Sequence, residues 1–213
     1  MSTYILTSMF PNGFPAEVAE QLKRIIEKRN RFAFIASEFE KAHEKTDRYY
    51  NFIMNMFISY GIEFEHAFVV DSRMTVEQMQ NRIEAADVIW LAGGNTLVQY
   101  QYFEECGLIS IFQEHKGVII GMSAGAINMA KIAVCSVIGG DSRKLIYNGL
   151  GLVDISVEPH FNKRGASEEL LQISKQYPIY GLCDDSVIVC DHCKTIFIGD
   201  IFLINQGYVT KIS

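Results

Sequence analysis

At 213 residues, with 49% hydrophobic and 21% charged residues, the chain has the size and composition of one soluble globular domain, 1–213. It lacks the low hydrophobicity of a disordered chain and any apolar run of the ~18 residues that a membrane helix needs. A formal net charge of −6 argues against a nucleic-acid surface, which needs clustered Lys and Arg.

The first 130 residues alternate short apolar runs with longer stretches of helical periodicity, the pattern of βαβ units around a parallel sheet. Strands are expected at 3–7, 32–37, 63–70, 87–92 and 117–122, with helices at 15–29, 42–60, 75–86 and 95–104. Beyond residue 130 a Gly-rich stretch around Gly139 and Gly149 precedes short strands near 152–157, 179–182, 186–190, 195–198, 201–204 and 207–211, with a helix near 166–175. The last strands read as a hairpin-rich extension with a turn at Asn205-Gln206-Gly207. The cluster Tyr100, Tyr102 and Phe103 reads equally as a partner surface or as the inner face of an amphipathic helix, so the oligomeric state stays open.

The five cysteines are an odd number in a chain long enough to fold without disulfides, and the N-terminus lacks a basic segment leading into an apolar one. A reducing, cytoplasmic setting is the expectation. Cys190-Asp191-His192-Cys193 has metal-ligand spacing, but no second ligand pair accompanies it, so no metal is expected.

The strand Val118-Ile119-Ile120 leads at once into Gly121-Met122-Ser123-Ala124-Gly125 and then into helical sequence. Strand, tight turn and helix form the setting of a nucleophile elbow, in which small neighbours two residues either side of the Ser let strand and helix approach. The Ala124 amide at the helix start would then face an oxyanion. The bland alternative is a Gly-rich turn that packs a helix on a sheet. Gly93-Gly94-Asn95-Thr96 follows the strand Val88–Ala92 and offers a second donor loop, or a helix start capped by Asn95 or Thr96.

A serine nucleophile needs a base. His43, His66 and His115 stand in charged or helix-flanking contexts and read as surface residues. His160, in Val157-Glu158-Pro159-His160-Phe161, ends a strand and opens a loop. Asp184 and Asp185 lie between two apolar strands, where they are orienting acids or plain turn residues.

In this order, Ala92-Gly93-Gly94-Asn95-Thr96, Gly121 to Ala126, Glu158-Pro159-His160-Phe161 and Gly181-Leu182-Cys183-Asp184-Asp185-Ser186 resemble the aspartyl dipeptidase (peptidase E) and cyanophycinase family of serine peptidases. The match runs over about residues 3 to 205. The resemblance implies a flavodoxin-like α/β fold related to class I glutamine amidotransferases, with a mostly parallel sheet flanked by helices and a C-terminal hairpin extension. It implies Ser123 as nucleophile, His160 as base, and Gly94 and Ala124 as oxyanion-hole donors. Asp184 falls at the place of the third triad member, with Asp185 and Asp141 as alternatives. Asn95 and Arg164 are the expected substrate-binding residues, with Arg143 a further cation for an acidic substrate group. A cytoplasmic peptidase acting on small peptides without cofactor follows. The rivals are a non-catalytic binding or regulatory protein on the same scaffold and an amidase or esterase of non-peptide substrates.

Overall fold

The computed structural model describes residues 2–136, 144–191 and 194–213. The chain runs through β1 (Thr3–Thr7), α1 (Ala16–Ile25), β2 (Arg31–Ile35), α2 (His43–Ser59), β3 (His66–Val70), α3 (Val76–Glu84), β4 (Val88–Leu91), α4 (Thr96–Glu105), α5 (Ile109–Glu114), β5 (Val118–Met122) and α6 (Ala124–Met129). It continues through β6 (Ile132–Ser136), β7 (Lys144–Asn148), β8 (Ser156–Pro159), α7 (Glu168–Ile173), β9 (Ile179–Leu182), β10 (Val187–Cys190), β11 (Thr195–Ile198), β12 (Ile201–Asn205) and β13 (Tyr208–Lys211).

The main sheet has the order β11-β10-β1-β5-β4-β2-β3. Its strands from β1 to β3 are parallel, while β10 runs antiparallel to β1. The parallel strands are apolar throughout because helices cover both faces. Period-two alternation sends Phe32, Phe34, Val88, Trp90 and Ile120 to one face, where they meet Val18 and Leu22 of α1 and Ile53 and Phe57 of α2. Ala33, Ile35, Ile89, Leu91 and Ile119 point to the other face, against Met79 and Ile83 of α3, Phe103 of α4 and Phe112 of α5. The architecture is flavodoxin-like.

A second sheet, β13-β12-β9-β8, carries the parallel pair β8 and β9. The expected C-terminal extension is thus divided: β10 and β11 widen the main sheet, while β12 and β13 form a hairpin on the second. Asn205-Gln206-Gly207 makes that hairpin's turn, with Gln206 at φ 52° and Gly207 at φ 81°.

Three elements depart from the sequence reading. The β6–β7 hairpin occupies the stretch taken as a Gly-rich connection, because its flanking glycines masked the alternation of Ile132–Ser136 and Lys144–Asn148. The strand expected at 152–157 lies at Ser156–Pro159, and α5 has only six residues, too few to show a helical period. Phe103 is fully buried and Tyr102 stacks on Phe39 with ring centroids 4.8 Å apart, so this face of α4 packs inward. Among the described residues, no helix is long and apolar enough to cross a membrane.

Candidate active site

The parallel strands all point their carboxyl ends to one side, the place where open α/β sheets present ligand sites. Ser123 follows β5 directly and has φ 51°, ψ −107°, a conformation that costs a non-glycine residue about 1–3 kcal/mol. Two glycines make the turn sterically feasible. A Cβ on Gly121 would lie 2.7 Å from the Ala126 nitrogen, and one on Gly125 would lie 2.2 Å from the Leu91 carbonyl oxygen. Strand β4, strand β5 and helix α6 approach more closely than any side chain permits.

The loop after β4 has a similar constraint. Gly94 has φ +147°, and an added Cβ would lie 2.1 Å from Ser37 Oγ. Asn95 Oδ1 accepts from the Val98 amide at 3.2 Å and caps α4, so the capping reading of Asn95 holds for its oxygen. A buried polar network ties this loop to the elbow helix. Asn128 Nδ2 donates to Thr96 O and to Gln99 Oε1, both at 3.0 Å. Gln99 Nε2 donates to Ala92 O at 2.9 Å, and the Tyr147 hydroxyl donates to Asn128 Oδ1 at 2.5 Å. Gln99 and Asn128 are fully buried, and burial pushes the Tyr147 hydroxyl well above its ordinary pKa.

His160 and Asp184 come from the second sheet. Register pairs Pro159 of β8 with Leu182 of β9, so His160 lies one residue and Asp184 two residues beyond a matched pair of strand ends. The Phe161 amide closes the pairing on Leu182 O at 2.9 Å. Phe161's ring lies over Gly181, where a Cβ would come within 2.5 Å of it.

The geometry that results is a relay. Ser123 Oγ lies 3.0 Å from His160 Nε2, and His160 Nδ1 lies 2.9 Å from Asp184 Oδ1. His160 and Asp184 are partly open to solvent, with side-chain exposures of 47% and 39%. Neighbouring Asp185 does not join it. Among the described residues, one of its carboxylate oxygens is buried without a hydrogen-bond partner. Burial, and then the charge of Asp184, raise its carboxyl above the usual range.

Two cavities flank Ser123. The first, about 130 Å³, is walled by Phe34, Ala36, Gly93, Lys45 and Tyr49 and reaches His160. The second, about 220 Å³, is bordered by Asn95, Leu97, Ile127 and Glu158. Lys144 Nζ lies 2.5 Å from Glu158 Oε1.

Of the residues singled out from sequence, Ser123, His160, Asp184, Gly94, Ala124 and Asn95 therefore converge on one crevice. Arg164 is exposed in the loop after His160 and lines neither cavity. Asp141, Arg143, His192 and Cys193 lie outside the described residues. His43 is partly buried, bonded to Phe39 O and Ser72 Oγ, and His66 is exposed. His115, expected at the surface, is 7% exposed. Its place between the end of α5 and the start of β5 buries it despite the charged neighbours that suggested exposure.

Ser8, Ser37, Lys45, Gln99 and Asn128 were not anticipated. Ser8 and Ser37 share one readable signal, in that each sits just past the end of a parallel strand.

The fold and this crevice suit a hydrolase, and comparison with known proteins supplies the class, a peptidase. The chain belongs to peptidase family S51, whose model matches residues 8–198. A peptidase from an acI-B1 Actinobacterium has a similar structure, with TM-score 0.74 at 14% identity over 100% of this chain and 94% of that one. A candidate peptidase E protein from Listeria monocytogenes EGD-e matches with TM-score 0.66 at 20% identity, over 93% of this chain and 98% of that one. These likenesses are of fold. Comparison with curated proteins found no match.

Proposed function

We propose that the protein is a serine-type peptidase that cleaves small peptides through Ser123, His160 and Asp184. The observation that carries this is the relay itself, 3.0 Å from Ser123 Oγ to His160 Nε2 and 2.9 Å from Nδ1 to Asp184 Oδ1. In this reading His160 takes the Ser123 proton as Oγ attacks the scissile carbonyl, and then delivers it to the leaving amine. The acyl-serine is hydrolysed by a water that His160 deprotonates. Asp184 holds Nδ1–H and stabilises the imidazolium without itself becoming protonated. The Gly94 and Ala124 amides receive the oxyanion.

The substrate in this proposal is a small peptide, preferentially one with an N-terminal aspartate. Asn95, whose Oδ1 is engaged in the α4 cap, presents its amide N–H groups to the peptide. Two cations are candidates for the substrate carboxylate. Arg164 follows His160 in the chain, while Lys45 lines the same cavity as Ser123 and His160. The apolar wall of Phe34, Ala36 and Tyr49 would accommodate the rest of the side chain.

The test is a panel of Asp-X, β-Asp-X and neutral dipeptides given to the purified protein. A site built around a carboxylate rejects neutral analogues strongly. Ser123→Ala abolishes hydrolysis with the fold intact, and retained turnover in that variant overturns the proposal. Lys45→Met and Arg164→Met, assayed on Asp-X and Ala-X peptides, identify the cation by a rise in KM confined to the acidic substrate.

A further inference from the structure

Thr7, Ser8 and Met9, at the carboxyl end of β1, each accept one amide hydrogen from the site. The Ser123 N–H reaches Thr7 O at 2.9 Å, the His160 N–H reaches Ser8 Oγ at 2.8 Å, and the Asp185 N–H reaches Met9 O at 2.8 Å. The three donors are the site's non-glycine residues with left-handed backbone, at φ 51°, 55° and 66°. Such conformations persist only where the surroundings impose them. Three consecutive residues therefore hold the nucleophile loop of one sheet and the base and acid loops of the other.

We infer that Ser8 is the positioning residue of this group, orienting both His160 and Asp184. This rests on the reading of the relay as catalytic. Ser8 is fully buried, and its Oγ donates to Asp184 Oδ1 at 2.7 Å. The hydroxyl has one proton, and it is spent on the carboxylate. Nδ1 of His160, 3.3 Å from the same oxygen, then faces acceptors only, Ser8 Oγ and Asp184 Oδ1. The imidazole proton is held on Nδ1, and the Nε2 lone pair is left facing Ser123 Oγ. Ser8 thus contacts two members of the relay and the backbone of one, and touches no reacting atom.

The experiment measures the rate at which an alkyl fluorophosphonate modifies Ser123. The Oγ–P bond forms as the P–F bond breaks, fluoride leaves and the serine proton passes to His160. Saturation kinetics separate the maximal rate from the half-saturating concentration. Three variants are compared with the parent: Ser8→Ala, Ser8→Cys and Ser123→Ala.

Ser8→Ala should lower the maximal rate at least about tenfold with the half-saturating concentration unchanged, since small misplacements of a reacting group carry large rate penalties. Cys fills the serine's space but donates weakly. A filler role predicts that Ser8→Cys matches the parent, whereas positioning by hydrogen bond predicts a loss between parent and Ala. Parental labelling in Ser8→Cys overturns the inference, and the Cys variant decides the matter if Ser8→Ala does not fold. Unlabelled parent, or labelled Ser123→Ala, overturns the catalytic reading instead.

Discussion

Replacing Gly125 by Ala puts a Cβ 2.2 Å from the Leu91 carbonyl oxygen, 2.6 Å from Leu91 Cβ and 2.7 Å from its carbonyl carbon. Two of these are backbone atoms of a central strand, so no rotamer change relieves the contact. Ordinary van der Waals separation begins near 3.4 Å, and α6 and β4 must part by about 1 Å. Overpacking of this kind costs about 1–3 kcal/mol. At 2–4 °C per kcal/mol for a chain of this size, the Tm falls by roughly 2–12 °C. Leu91 also precedes the Ala92–Gly94 loop, so the displacement widens the gap between the Gly94 and Ala124 amides. A misplacement of about 1 Å lowers the chemical rate by about 10²-fold. Thermal melts and fluorophosphonate labelling measure both effects. Gly151→Ala is the comparator, because its added Cβ meets nothing within 4 Å and its φ of +68° imposes backbone strain alone. It should lose about 1 kcal/mol and keep its reactivity. A Gly125→Ala protein that melts and reacts like the parent would refute the steric account of the elbow.

Asp184→Asn should retain the fold by circular dichroism and lose turnover by about 10⁴-fold, as expected when the imidazole is held in the wrong tautomer. A loss under tenfold would remove Asp184 from the relay. Asn128→Leu takes the Asn128 donor from Thr96 O and Gln99 Oε1 and the Asn128 acceptor from the Tyr147 hydroxyl, and should destabilise the protein by about 2–4 kcal/mol in urea unfolding. Equal midpoints would show that the network is dispensable. Burial lowers the His115 pKa from its ordinary 6.5. Between that value and the lower folded one, only the unfolded chain binds the proton. Stability is therefore complete above pH about 6.5 and declines as the pH falls through the folded value. His115→Leu should flatten that decline in melts between pH 7.5 and 5, and parallel curves would count against the burial effect.

Features that are local in the chain were legible in the sequence. Val118–Met122 followed by Ser123 and Gly125 is a strand, turn and helix within a dozen residues, and Gly93-Gly94 follows an unbroken apolar strand. Each could be read as chemistry because the physical demand, space at a sharp turn, falls on adjacent positions. His160 and Asp184 are 24 residues apart and meet because β8 and β9 are parallel neighbours. That pairing leaves no mark near either residue, so only the resemblance linked them. Ser8 lies 152 residues from His160, and its one readable signal, a place just past a strand end, does not point to that partner. Gln99 and Asn128 sit on helices where polar residues usually face solvent. The division of the last strands between two sheets is likewise a matter of long-range pairing. Period-two alternation cannot assign it.

The most direct test of the relay is mass spectrometry of the fluorophosphonate-treated protein after proteolysis. The account predicts one adduct on the peptide containing Ser123, absent in Ser123→Ala and formed far more slowly in His160→Gln. An unmodified Ser123 in the parent, or an adduct formed equally fast without His160, would contradict it.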